Sequence, residues 1–303
     1  MHRIPRIFML CLLLATFGSA QTITNVRQTV ENGRIVIKYD LAGTDEYNVT
    51  ITATDKTGQT ITPTIVAFDI QSVSAGIDHV IWWEPQMEGR ALQGWTVELK
   101  AKVSRTGTVT DIDGNTYQTV KIGNQWWIAE NLKVTHYRNG DVIPNVTDNT
   151  AWSNLTTGAY CELDNYSANV ETFGRLYNWY TVNDNRNIAP EGWHVPTDAE
   201  WTTLTTYLGG ESVAGGKMKE AGTTYWSSPN TGADNESGFS ALPGGYRSAN
   251  GTYSSIGSNG FWWSATESSR YLAWYRSLGY YDSGVDRYGS SKRYGFSVRC
   301  VGD

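Results

Sequence analysis

The sequence predicts two folded units: an all-β sandwich of immunoglobulin-like type, then an α+β unit with two short helices and irregular antiparallel strands. Three observations carry this. Apolar residues alternate in short runs before residue 104, and a helix-capping signature stands at Thr197–Glu200. The tail from Tyr271 to Tyr294 consists almost wholly of Tyr, Ser, Gly, Asp and Arg around a few apolar residues. With 303 residues, 40% hydrophobic and 18% charged, the chain can bury one or two sizeable cores. A net charge of -6 without a basic stripe excludes the usual electrostatic footprint of a nucleic-acid binder. Thirteen Trp and 18 Tyr against 7 Phe favour aromatics with a polar end, which suit half-exposed positions.

The N-terminus reads as an address. His2, Arg3 and Arg6 precede the apolar run IFMLCLLLATF, and Gly18-Ser19-Ala20 supplies small residues for cleavage, so residues 1–20 read as a signal peptide and Gln21 opens the mature chain. The run is too short for a stable bilayer anchor, and Leu10 before Cys11 departs from a lipoprotein signal. The expected location is therefore secreted or cell surface, with no integral membrane segment after cleavage. Cys161 and Cys300 remain in a compartment where disulfides persist, and they are the candidate disulfide, provided their Cα atoms lie about 4.4 to 6.8 Å apart.

Residues 22–104 carry the sandwich pattern. GRIVIKYDL puts Ile35, Ile37 and Tyr39 on one face, YNVTITAT does so with Val49, Ile51 and Ala53, and GWTVELKAKV with Val97, Leu99 and Ala101. Trp82 and Trp83 in VIWWEP are expected in its core, and a spacer or stalk is its natural role. Residues 105–110 read as a linker, and the second domain spans 111–303. In DIDGNTY the Gly comes too early for a calcium loop and Ile122 stands where the closing Glu would be, so Asp113-Gly114 is expected as a tight turn. Thr197, with Glu200 three residues on, forms a capping box for a helix whose face is Trp201, Leu204 and Leu208 and whose end is Gly209-Gly210. GRLYNWYTVN, with Leu176, Trp179, Tyr180 and Asn183 at helical spacing, is the other expected helix.

The order DIDGNTYQTVKIGNQWWIAENLK, FGRLYNWYTV, GWHVPTDAEWTTLTTYLGG, ESGFSALPGGYR, FWWSATE and YGFSVRCV resembles the Fibrobacter succinogenes major paralogous domain family, over about Thr110 to Asp303. That family is similar to the C-type-lectin-like fold of formylglycine-generating enzymes, which implies short antiparallel strands carrying long loops. Ala189 stands where family members often carry Cys, so no disulfide is carried over there. The enzymes of this fold use a copper-binding cysteine pair, whereas Cys300 alternates with Phe296 and Val298 as a buried strand residue would. His79, His136 and His194 lack metal-site spacing, and nothing local pairs Glu162, Asp164, Glu236 or Glu267 as glycosidase carboxylates. The expectation is no enzyme, no catalytic residue, no cofactor and no metal.

Within the tail, Ala273, Trp274, Arg276, Leu278, Val285, Arg287, Gly295, Phe296, Val298, Arg299 and Cys300 read as frame. Between them stand Arg270, Tyr271, Ser277, Gly279, Tyr280, Tyr281, Asp282, Asp286, Tyr288, Arg293 and Tyr294, with further Ser and Gly. Tyr offers large contact area with two torsions to freeze, Ser and Gly adapt, and Arg stacks and forks onto acceptors. The expected ligand-binding residues are Arg270, Tyr271, Tyr280, Tyr281, Asp282, Asp286, Tyr288, Arg293 and Tyr294, facing an unknown protein or glycan outside the cell. All five residue types are one or two base changes from the Asn codon AAC, the pattern of adenine-directed mutagenesis. C-type-lectin-like domains serve as variable proteins of diversity-generating retroelements, and the resemblance implies such a variable region here. The alternative is an envelope-associated glycan-binding or structural module with a fixed site at Trp126, Trp127, Trp262 and Trp263.

Overall fold

A computed structural model describes residues 22–43, 46–71 and 73–303. The expected signal peptide and its expected cleavage position lie outside the described residues. The chain is mostly β-sheet with a few short helices, and it divides between Ser104 and Arg105 into two compact units. No helix among the described residues is long and apolar enough to cross a membrane.

The first unit holds β1 (Thr22–Glu31), β2 (Arg34–Ala42), β3 (Tyr47–Thr54), β4 (Thr60–Ile61), β5 (Val66–Phe68), β6 (Gly76–Trp83) and β7 (Thr96–Val103). Two sheets, ordered β1-β2-β6-β5 and β4-β3-β7, contribute to one core. Alternation dictates which residues enter it, because successive side chains of a strand point to opposite faces. Ile35, Ile37, Tyr39, Val49, Ile51, Ala53 and Leu99 are buried, and Val97 and Ala101 pack against them. The same rule corrects the expectation for VIWWEP. Trp83 is fully buried, but Trp82, its neighbour, turns outward to Phe68 and the Arg34 guanidinium.

Residues 105–110 are not a linker. Thr106–Thr110 is a strand, β8, hydrogen-bonded to β9 (Thr116–Ile122), which pairs with β10 (Gln125–Ile128). Between β8 and β9 the Asp111 carboxylate accepts from the backbone N–H of Asp113 and Asn115, and Gly114 at φ 82° completes the turn. The unit continues through α1 (Asn149–Ser153), β11 (Tyr160–Glu162), α2 (Val170–Phe173), β12 (Arg175–Tyr177), α3 (Trp179–Val182), β13 (Trp193–His194), α4 (Asp198–Tyr207) and α5 (Ala214–Met218). Then come β14 (Gly244–Arg247), β15 (Tyr253–Ile256), β16 (Asn259–Ser269), β17 (Leu272–Gly279), β18 (Asp286–Ser291) and β19 (Val301–Gly302). The capping box forms as the sequence requires: Thr197 accepts from Glu200 N–H and the Glu200 carboxylate accepts from Thr197 N–H, while Trp201, Leu204 and Leu208 are buried. GRLYNWYTVN is only half helical, since Arg175–Tyr177 pairs with β11 and Asn178 caps a single turn beyond it.

One sheet, ordered β15-β14-β16-β17-β18, separates two cores. Trp262, Leu278 and the loop residue Val285 join Trp127, Trp201 and Leu204 in one core, and Trp263, Ala273, Phe296, Val298 and Cys300 belong to the other. Cys161 packs in a third cluster with Trp152 and Leu176. The two thiols are therefore free and buried in different places, which corrects the candidate disulfide. Burial pushes the Cys161 thiol up to about 11 and raises Cys300 as well.

Long loops need staples, and buried cations supply them. Arg247 donates to the carbonyls of Gly251, Val146 and Thr147, and Arg299 donates to those of Ile128, Phe239 and Ser240. Five donors on one planar group let an arginine satisfy backbone that no strand partner reaches. At the end of the chain His194 on β13 hydrogen-bonds Asp303 through Nδ1 at 2.6 Å and Glu200 through Nε2 at 2.9 Å.

Phe296 is buried among five aromatic rings, so Phe296→Ala should cost about 3 to 5 kcal/mol by denaturant unfolding. Trp274, expected as frame, is only half-buried with the Arg287 guanidinium 3.5 Å over its ring, so Trp274→Ala should cost about 1 kcal/mol. For His194, burial opposes the charge but the bonds to Asp303 and Glu200 outweigh it and raise the pKa above 6.5. That stabilisation is complete below the unfolded value and is lost as pH rises through the folded one. The gap in Tm between the native chain and His194→Gln should therefore be widest below about pH 6.5 and narrow as pH rises above it; a constant gap would contradict the pairing.

Candidate functional site

Strand parity builds the site. Tyr275 pairs with Tyr288, Ser277 with Asp286 and Ala273 with Ser290, so these share one face of the sheet with Phe261 and Trp263 of β16. Arg276, Arg287 and Trp274 take the other face. There Asp198, at the start of α4, accepts from Arg276 at 2.7 Å and Arg287 at 2.8 Å. Both cations thus share one carboxylate behind the sheet.

The first face is aromatic and open. Phe296 lies beneath it, with ring centroids 5.3 Å from Phe261, 4.4 Å from Trp263, 4.9 Å from Tyr275, 5.7 Å from Tyr294 and 6.2 Å from Tyr246. Over this buried floor Tyr288 is 57% and Tyr281 is 56% exposed. Tyr288 approaches Tyr275 at 6.3 Å. The Tyr275 phenol is raised first by burial and then by Asp286, Tyr288, Tyr294 and Tyr246, and that of Tyr281 by burial and then by Asp282, Asp286, Tyr288 and Tyr280. The carboxyl of Asp286 is itself raised, by burial and by Asp282 and Glu211, with Ser277 opposing.

The expected residues separate into groups. Tyr281, Asp286, Tyr288 and Tyr294 converge on this face, although Tyr294 is half-buried, tilted on Tyr246 at 5.6 Å. Tyr271, 70% exposed, and Arg270, whose guanidinium lies 5.4 Å from its ring, stand instead at the turn between β16 and β17. Arg293 is exposed and donates to the Ser153 carbonyl at 2.8 Å. Tyr280 is half-buried against the core containing Trp262. Asp282 shapes a loop, its carboxylate accepting from Gly284 N–H at 2.9 Å. Ser277 and Gly279, placed among the surface residues by their type, are buried. Lys292, which interrupts the Tyr, Ser, Gly, Asp and Arg alphabet, belongs to the frame: its ammonium pairs with Glu267, donates to the Arg270 carbonyl and lies 4.6 Å from the Trp179 ring. Of the four tryptophans in the fixed-site alternative, Trp127, Trp262 and Trp263 are fully buried.

Tyr246, Phe261, Tyr275 and Glu211 were not anticipated. For Tyr275 a signal existed, since it alternates with Ala273 and Ser277 in the strand pattern; Tyr246 arrives on the short strand β14 and Glu211 on a turn after α4, where the local sequence holds none.

The loop bearing Tyr280, Tyr281 and Asp282 is fixed from inside. Lys219, fully buried, donates to the carbonyls of Thr231 at 3.0 Å, Gly279 at 2.9 Å and Asp282 at 2.7 Å. Burial draws its pKa down to about 8, but three acceptors match the three N–H bonds of the ammonium form. Gly216 N–H donates to Ser283, Val285 N–H to Glu211, and the loop backbone lies so close to Gly215 that a Cβ there would meet the Gly284 carbonyl at 2.0 Å. Replacing Lys219 by Met should remove the shared donor from the Gly279 carbonyl, in the interior, and from the part-buried Thr231 and Asp282 carbonyls, and cost on the order of 3 kcal/mol. Amide exchange should accelerate at Gly284 and Val285; unchanged protection would show that the ammonium does not hold the loop.

The family model described as the Fibrobacter succinogenes major domain matches residues 120–302, more than half of the chain. No curated protein and no solved structure matches it. The matched span runs from β9 to β19 and contains both cores except Tyr117 and Val109, the dividing sheet and the aromatic face, and the chain belongs to the Fibrobacter succinogenes major domain family.

Proposed function

We propose that the chain is a secreted or cell-surface ligand-binding protein, in which an immunoglobulin-like stalk carries a C-type-lectin-like domain that presents the tyrosine face to an extracellular protein or glycan. The carrying observation is the contrast between Tyr281 and Tyr288, more than half exposed, and the Phe296 floor at 2%. Large polar aromatics held over a packed hydrophobic base supply contact area at low entropic cost, and nothing in the fold needs their outer edges. Enzymatic turnover is not part of this reading: both thiols are buried with raised pKa values, the reverse of what a reactive or metal-binding thiolate needs. The same reading includes a diversified variable protein, because the exposed positions carry the alphabet of adenine-directed substitution. A reverse transcriptase gene and a near-copy of this segment with adenines at those codons should then lie beside the gene; unrelated codons and no such neighbours would remove that part.

The binding role itself is tested by panning a random peptide library and a glycan array with the full chain. Tyr281→Ala combined with Tyr288→Ala should weaken any selected ligand at least about tenfold while moving Tm by less than about 2 °C. Binding that survives the double substitution, or a chain that unfolds with it, would refute the assignment.

A further inference from the structure

The strand β18 closes one border of its sheet, and its backbone has hydrogen-bonding capacity to spare. Just past its end the Lys292 N–H donates to the Tyr271 carbonyl at 3.3 Å, and the register continues unshifted from Ser291 opposite Leu272 to Asp286 opposite Ser277. Antiparallel pairs alternate between those that exchange both backbone hydrogen bonds and those that exchange none. Counted back from Lys292, the backbones of Ser290, Tyr288 and Asp286 bond to β17, and those of Ser291, Gly289 and Arg287 turn outward. The Ser291 carbonyl is taken by the Tyr294 N–H at 2.9 Å. The N–H groups of Arg287, Gly289 and Ser291 and the carbonyls of Arg287 and Gly289 have no outward partner among the described residues.

Native edges are usually blunted by Pro, Lys, a bulge or a covering segment. The strand β18 holds neither Pro nor Lys, and its one cation, Arg287, folds behind the sheet onto Asp198 and the Trp274 ring. Its centre is open: Tyr288 is 57% exposed, and Gly289 is exposed with no side chain to shield the backbone. The opposite border is treated differently, since β15 has four residues and Ser255 within it has φ 62°.

We propose that a protein ligand adds an extended segment to this edge as a further strand, antiparallel to β18 and bonded to the backbone of Arg287, Gly289 and Ser291. The inference rests on the ligand-binding reading above and selects protein over glycan as the ligand. Donors and acceptors alternating at strand spacing are complemented by another polypeptide backbone, and a sugar offers no such ladder. Opposite residues of an antiparallel pair share a face. The ligand residue opposite Tyr288 therefore lays its side chain on the aromatic face, and its own N–H points away from β18. Its neighbours, opposite Arg287 and Gly289, supply the hydrogen bonds and point behind the sheet. Main-chain bonds supply affinity, and the tyrosine face selects among side chains.

The test titrates the isotope-labelled full chain with acetyl-Thr-Val-Thr-Val-Thr-Val-amide and two N-methylated forms, one blocked at the threonine amides and one at the valine amides. In the free chain the amides of Arg287, Gly289 and Ser291 should exchange rapidly with solvent, and those of Tyr288 and Ser290 slowly. The parent probe and the valine-methylated form should slow exchange at Arg287, Gly289 and Ser291 saturably, because valine takes the aromatic face, and the threonine-methylated form should not. Gly289→Pro removes an outward N–H and should weaken the parent probe at least about tenfold, whereas Gly289→Ala should change it less than about twofold. Both variants bring a Cβ to the Ser268 Oγ at 2.8 Å, so the pair isolates the N–H. The methylated probes decide the question in the native chain should Gly289→Pro fold poorly. Slow exchange at Arg287 and Gly289 in the free chain, equal behaviour of the two methylated forms, or tighter binding of the threonine-methylated form would overturn the proposal. So would dimerisation of the free chain that Gly289→Pro abolishes, which would make a second copy the occupant. If no strand probe binds, the pairing fails, and the ligand-binding reading still stands or falls separately by panning with the tyrosine double variant.

Discussion

Phe296 decides which aromatic side chains of this domain are structure and which are surface. It enters from the last segment of the chain, pairs its backbone with Tyr177, and meets rings from β14, β16 and β17. A ring surrounded this way removes apolar area from water on every side, worth about 25 cal/mol per Å², and fixes the height of whatever lies above it. Tyr275 and Tyr294 sink partly into the layer around Phe296; Tyr288 and Tyr281 face water. The open face is thus a consequence of a filled floor.

A second constraint makes the floor possible. The domain has long stretches without strand or helix, and their carbonyls would be stranded in the interior if only regular pairing could satisfy them. Arg247, Arg299 and Lys219 answer this from three positions, each fully buried and each donating to loop carbonyls among its acceptors. Burying a charge is costly unless its donors are matched, and here they are. The result is irregular backbone with defined geometry, which is what a contact surface built on loops requires.

Much of this was legible in the sequence, where a local rule sufficed. Alternation identified Ile35, Ile37, Tyr39, Phe296 and Val298 as buried, and the Thr197–Glu200 pair located α4. Where tertiary context chose between neighbours, local rules failed. Trp82 and Trp83 are equally apolar, yet a shift of one position sends one of them outward. The segment 105–110 has linker composition, but Thr106–Thr110 finds a pairing edge on β9. Residue type alone placed Ser277, Gly279, Tyr280 and Tyr294 at the surface, although small residues can be buried under a ring and tyrosine can sink to its hydroxyl. Lys292, the one lysine between Tyr271 and Tyr294, is held by Glu267 and Trp179.

Burial also sets how freely the tail can change. At Tyr271, Tyr281 and Tyr288 the outer ring edges touch water, so replacement removes little packing. Gly279 is different in kind: a Cβ there would meet the Tyr281 ring at 2.7 Å, so any larger residue displaces the very side chain it would be meant to accompany. Ser277 is restricted through Asp286, whose carboxyl it steadies by a hydrogen bond. Variation in this segment is therefore not uniform along the alphabet. It is cheap at a few exposed rings and costly at the small residues beneath them, and a surface able to change its ligand without losing its fold must do so through the former.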